Sequence, residues 1–143
     1  MKGYLVDTNV PSELTRPRLE PEPRVAAFLK AAGQEGIYLS VLTIGEICKG
    51  IAGLPFSHSR RATLQNWLND VLRPWFDGRI LPITAPIAEY WGQLAGAAKL
   101  RGTPLPVVDG LLMATALAHD LTIVTRNVKD FIGVNALNPW NEN

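Results

Sequence analysis

Cysteine is almost missing from this chain: Cys48 is the only one in 143 residues. An internal disulfide is therefore excluded. Histidine is nearly as scarce. His58 and His119 are the only two, and neither has the spacing of a ligand motif, so a zinc site of the usual thiolate and imidazole kind is not expected. Long hydrophobic runs are missing too; none approaches the ~18 residues of a membrane span. The start, MKGYLVDTN, turns polar after a short apolar run, which predicts no secretory leader. Neither sign of charge dominates. The net charge is +1, so attraction to a polyanion has to come from a local patch rather than the field of the whole molecule. No Walker A loop, G-x-G-x-x-G or G-x-S-x-G is present, and no convincing Ser/His/Asp set. Together these absences predict a cytoplasmic protein with no membrane partner.

What is present suits one domain over residues 1–143. Hydrophobic residues make up 47% and charged residues 19%, and a chain of this length buries about two-thirds of its unfolded surface. Cys48 stands among Ile44, Ile47 and Ile51, a setting that predicts a buried structural thiol. Strands are expected at residues 3–7, 37–40, 80–83 and 121–125, with a last edge strand at 134–137. Helices are expected at 24–32, 43–52, 59–76, 85–101 and 107–119. A short helix opens at Pro11 and runs to residue 14, a proline-broken loop fills 16–22, and 128–131 is a turn or short helix. Strands alternating with helices predict an α/β fold with a parallel sheet of four to five strands, covered on both faces.

In open sheets of this kind ligands bind beyond the carboxyl ends of the strands. Asp7 falls at that end of the first strand. Asn127 and Asp130 fall just past the fourth. Each acid has a bland reading beside the functional one. Asp7 is a metal ligand or a turn aspartate. Glu46, flanked on its helix by the small residues Thr43 and Gly50, is a ligand or a solvated glutamate. Asp109, in the first turn of an apolar helix, is a ligand or a partner for the helix dipole.

As a set, Asp7, Glu46 and Asp109 are more pointed. Carboxylates brought together raise one another's pKa unless a cation neutralises them. Hard oxygen ligands in a group suit Mg²⁺ or Mn²⁺. Such ions activate water and stabilise charge on a phosphoryl oxygen, the chemistry of phosphodiester hydrolysis. Thr8, Asn9 and Thr125 are placed to orient those ligands or the water between them. Arg16, Arg18, Lys99, Arg101 and Arg126 keep two readings, as phosphate-steering groups or as solvated side chains. Trp67, Trp75, Trp91 and Trp140 read as packing residues rather than platforms for bases.

Four segments, in order, resemble the motifs of PIN domains: Leu5-Val6-Asp7-Thr8-Asn9, then Ser40 through Ile47, then Leu105 through Leu112, then Thr125 through Phe131. Their order, spacing and total length look most like the VapC toxins, in particular their FitB-like branch. The resemblance implies a three-layer α/β/α PIN domain and an endoribonuclease dependent on Mg²⁺ or Mn²⁺. It implies a toxin of a type II toxin–antitoxin system, forming a homodimer and neutralised by a VapB-type antitoxin. Operator DNA is then bound only through the antitoxin, and the substrate is an RNA such as tRNA or rRNA. Asp7, Glu46 and Asp109 become the implied metal ligands. The fourth acidic position of the family falls at Asn127, an amide, and Asp130 is the alternative ligand. Arg16, Arg101 and Arg126 are the candidate RNA-binding residues. Two other readings stay open: a PIN-like binding module without catalysis, and a different metal-dependent phosphohydrolase.

Overall fold

The computed structural model describes residues 3–8, 10–11 and 22–141. Asn9, Arg16, Arg18 and nearly all of the segments expected at 11–14 and 16–22 lie outside the described residues. Five short strands form the sheet: β1 (Tyr4–Val6), β2 (Ile37–Ser40), β3 (Ile80–Leu81), β4 (Thr122–Val124) and β5 (Ala136–Leu137). Their order is β3-β2-β1-β4-β5, and every pairing is parallel. The helices are α1 (Pro23–Ala32), α2 (Val41–Ala52), α3 (Ser59–Trp67), α4 (Arg73–Trp75), α5 (Ala85–Leu100) and α6 (Val107–His119).

The period of two along a strand builds the layers. Val6, Ile37, Leu39 and Val124 point to one face, where they meet Ile51, Leu68, Leu72 and Phe76. Leu5 and Ile123 point to the other, against Leu112, Met113 and Ala116 of α6 and against Phe131. The result is helix, sheet, helix. Among the described residues no helix is long and apolar enough to cross a membrane.

Several expectations need correction. The long helix expected at 59–76 is interrupted: Leu68–Leu72 widens into a π-helix, with the Arg73 N–H bonded to the Leu68 carbonyl. Pro74 explains this, since it has no N–H for the carbonyl four residues back and its ring would crowd that carbonyl. The third strand ends at Leu81, not residue 83, because Pro82 lacks the N–H a ladder needs. The helix of the second motif starts at Val41, earlier than expected, because Ser40 caps it: Ser40 Oγ accepts the Leu42 N–H at 3.0 Å. Cys48 is exposed. It stands four residues after Ile44 and three before Ile51, at the edge of the same helix face, and that edge is open to solvent.

Candidate active site at the carboxyl end of the sheet

After β1 the chain runs to β2 and β3 on one side; β4 and β5 lie on the other. The switch point of the sheet is therefore the seam between β1 and β4. Asp7 and Thr125 are the first residues past those two strands. The Asp7 N–H bonds the Val124 carbonyl at 2.9 Å, which continues the ladder to the sheet's edge. The side chains then close the seam. Thr125 Oγ1 donates to Asp7 Oδ2 at 2.8 Å, and the Thr8 N–H donates to Asp7 Oδ1 at 2.7 Å. Thr125 Oγ1 in turn accepts the Asn127 N–H at 2.9 Å. Thr125 is fully buried, so its hydroxyl is spent on both sides. Among the described residues each Asp7 oxygen accepts one hydrogen bond, which leaves it a lone pair for another partner.

Asp109 enters from the opposite face, in the first turn of α6. Close packing sets that turn. A Cβ on Gly110 would meet Leu105 Cδ2 at 2.9 Å and Trp91 Cδ1 at 3.0 Å, so α5 lies against α6 at the residue next to the acid. Burial pushes the Asp109 carboxyl above the usual carboxylate range, and the negative charges of Asp7, Asp130 and Glu46 push it further. All four acids thus share one field, although they come from β1, α2, α6 and the turn after β4. Among the described residues, no three Asp, Glu, His or Cys side chains stand close enough to hold one ion directly.

The remaining predicted residues divide. Asn127 is exposed and contributes its backbone N–H to Thr125; its side chain makes no hydrogen bond among the described residues. Asp130 is exposed on the 3₁₀ turn Val128–Phe131, and its charge is felt at Asp109. Arg101 caps the end of α5 through its backbone and is exposed. Arg126 is laid over the Trp140 ring, with Cζ 4.1 Å from the centroid. Sequence reasoning missed that contact, and it missed two structural arginines. Arg79 bonds the carbonyls of Gln34, Ile37 and Trp75, while Arg61 bonds those of Ile51, Ala52 and Leu54. Nothing local in the sequence separates these three from solvated arginines, since each role depends on partners distant in the fold.

Residues 4–135 match the model of the PIN domain. The chain belongs to the PIN-domain family. It is 38% identical to the Toxin FitB of Neisseria gonorrhoeae over 96% of this chain and 99% of that one. It is 36% identical to the VapC ribonuclease Y4jK of Sinorhizobium fredii, over 95% and 96%. A solved structure of FitAB bound to a DNA fragment superposes with a TM-score of 0.82 at 36% identity, covering 98% of this chain and 97% of that chain. Family, fold and FitB-like character thus agree with the resemblance read from the four motifs.

Nucleases of this family generally work with a divalent metal ion. The donor set here fits one. It is made of carboxylates alone, and burial first, then the charges of its neighbours, raise the pKa of Asp109, a penalty on the ionised form that a cation would relieve.

Proposed function

We propose that this chain is an endoribonuclease toxin of a type II toxin–antitoxin system, dependent on Mg²⁺ or Mn²⁺ and neutralised by a VapB-type antitoxin. The observation that carries the reading is the gathering of Asp7, Glu46, Asp109 and Asp130 into one field at the sheet's switch point, with Asp7 clasped by Thr125. The similarity to a FitB toxin and a VapC ribonuclease over nearly the whole chain supports the substrate class.

In this reading Asp7, Glu46 and Asp109 surround the ion, one or two of them bound directly and the rest through its waters, and Asp130 completes the negative wall in place of the amide at Asn127. A bound ion supplies an activated water and neutralises charge on the phosphoryl oxygen. The chain's own residues do the rest. Thr125 and the Thr8 N–H fix the Asp7 carboxylate, so its free lone pairs point one way. Glu46 and Asp109, carried by α2 and α6, add their charges to the same field. The acids also repel a polyanion, so the substrate's phosphate is accepted only where cationic groups offset them.

One PIN domain accounts for residues 1–143, and the protein acts in the cytoplasm as a homodimer. Operator DNA is reached only through the antitoxin, in keeping with the DNA-bound FitAB structure. The substrate is a structured cellular RNA such as tRNA or rRNA. The test is incubation of antitoxin-free protein with single-stranded RNA and a tRNA and rRNA panel, with Mg²⁺, Mn²⁺ or EDTA, beside Asp7→Asn and Asp109→Asn. Cleavage that needs metal and vanishes in both variants is expected. Folded protein that cleaves no RNA under any metal would return the chain to the binding-module reading.

A further inference from the structure

Three arginines lie over aromatic rings: Arg61 over Phe56 at 4.4 Å, Arg79 over Trp75 at 5.2 Å and Phe76 at 5.4 Å, and Arg126 over Trp140 at 4.1 Å. Two of them have spent their donors. Arg61 and Arg79 each bond three backbone carbonyls, so their guanidinium groups are structural ties. Arg126 makes the shortest stack of the three, yet its side chain donates no hydrogen bond and pairs with no carboxylate among the described residues. It is exposed, and it stands between Thr125 and Asn127, the two residues that close the seam on Asp7.

The platform under it is fixed. Trp140 packs on the apolar cluster that contains Val6, Val10 and Val124. Its carbonyl accepts from Arg24 of α1, and its N–H donates to Asn138 Oδ1 at 2.9 Å. Asn138 Nδ2 then donates to the Arg126 carbonyl at 3.3 Å. The Arg126 guanidinium carbon therefore lies over a ring that is tied in place, and its side-chain N–H groups have no hydrogen-bond partner among the described residues. A planar cation held this way loses little further freedom on binding. Its fork matches a phosphate, and its open face suits an unstacked base.

We infer that the Arg126–Trp140 stack is a substrate subsite, which takes a phosphate of single-stranded RNA beside the acid cluster. The inference rests on the ribonuclease reading. It makes Arg126 the contacting residue and Trp140 the positioning residue, and it assigns the C-terminal Asn138–Trp140 segment a part in recognition.

The test measures binding of a short labelled single-stranded RNA to the full chain carrying Asp109→Asn, so that nothing is cut, over a range of salt. Arg126→Ala is expected to weaken binding about tenfold, as the loss of one charged hydrogen bond does. It should also flatten the dependence of log affinity on log salt by about 0.7, one phosphate's worth for a single strand. Trp140→Leu should give a smaller loss of the same kind, and Trp140→Phe should recover most of it. Should Trp140→Leu not fold, Arg126→Ala and Arg126→Lys at the surface still decide the matter, with Arg126→Lys expected to hold the salt slope but not the full affinity. Unchanged affinity and slope in Arg126→Ala, while the wild type still cleaves RNA, would overturn the subsite alone. So would full RNA affinity joined to loss of a co-purifying partner chain, which gives the stack to a protein ligand. A wild type that cleaves no RNA sinks the ribonuclease reading and the subsite with it.

Discussion

The two ends of the parallel sheet are closed by opposite means. At the amino end, Gly3 lies so near β2 that a Cβ on it would meet the Gly36 carbonyl oxygen at 2.8 Å, and backbone contact does the sealing. A cavity of about 330 Å³ opens there, lined by Gly3, Ala32, Gly36, Tyr38, Leu81 and Leu121 together with Glu35 and His119. At the carboxyl end the seal is a chain of side-chain hydrogen bonds, and four acids crowd above it. The amino end is arranged for packing. The carboxyl end keeps like charges together at a cost to stability, which is the signature of a site and not of a scaffold.

The largest break in that comparison is Asp109→Asn. Loss of one ligand to an ion that contributes several kcal/mol of charge stabilisation should lower the rate of RNA cleavage about 1000-fold. The same change should raise thermal stability in metal-free buffer at neutral pH. An acid whose folded pKa lies above its ordinary value, here 3.8, holds its proton more tightly when folded. Its ionised form therefore weakens the fold above the folded pKa, and the penalty fades as pH falls toward 3.8. The melting-temperature advantage of Asp109→Asn should shrink over that acidic range. An advantage that stays constant with pH would assign it to packing and not to the cost of an ionised carboxyl at this buried, acidic place.

Thr125→Val tests the clasp. It removes the donor to Asp7 and orphans the Asn127 N–H. Partners that orient ligands are typically worth 10–100-fold in metal affinity or activity, and that range is expected for Mn²⁺ affinity by titration. Thr125→Ser keeps the hydroxyl and should lose far less.

How much of this was legible without coordinates depends on the range of the cause. Ile37–Ser40 and Val107–His119 were placed to the residue, because local periodicity, the flanking glycines and Pro106 mark them. Asp7, Glu46 and Asp109 could be named one by one, but their meeting depends on strand order, which no local pattern encodes. The π-helical widening at Leu68–Leu72 was missed because the pattern of buried Leu68 and Leu72 survives it. Cys48 was misplaced because a place at the edge of an apolar helix face does not say whether the fold covers that edge. Arg126 over Trp140 was out of reach, since fourteen positions and a strand separate them.

Gly3→Ala and Gly36→Ala sharpen the comparison from the amino end. A Cβ at Gly3 collides with a backbone oxygen, which cannot swing aside as a side chain can. Overpacking of this kind costs about 1–3 kcal/mol. A Cβ at Gly36 meets nothing within 4 Å, so that substitution should be near neutral by urea unfolding. Neither should change Mn²⁺ affinity. A Gly3→Ala protein that is folded but fails to bind the ion would show the two ends to be coupled through β1.

The smallest effect expected is the most local. Thr43 and Thr115 are both buried threonines within helices. Thr115 Oγ1 donates to the Leu111 carbonyl at 2.7 Å, the usual back-bond of a helical threonine. Thr43, one turn before Glu46, has a buried Oγ1 without a hydrogen-bond partner among the described residues. An unmet hydroxyl costs about 1–3 kcal/mol in desolvation, so exchanging it for a methyl group recovers part of that. Thr43→Val should stabilise the metal-free protein by up to ~1 kcal/mol, whereas Thr115→Val should be neutral or lose about as much, both read from chemical unfolding. The opposite signs are the point, because the residues differ only in whether the fold supplies an acceptor. If Thr43→Val destabilises instead, the hydroxyl at the carboxyl end is in use, and Glu46 one turn above it becomes the first acceptor to test.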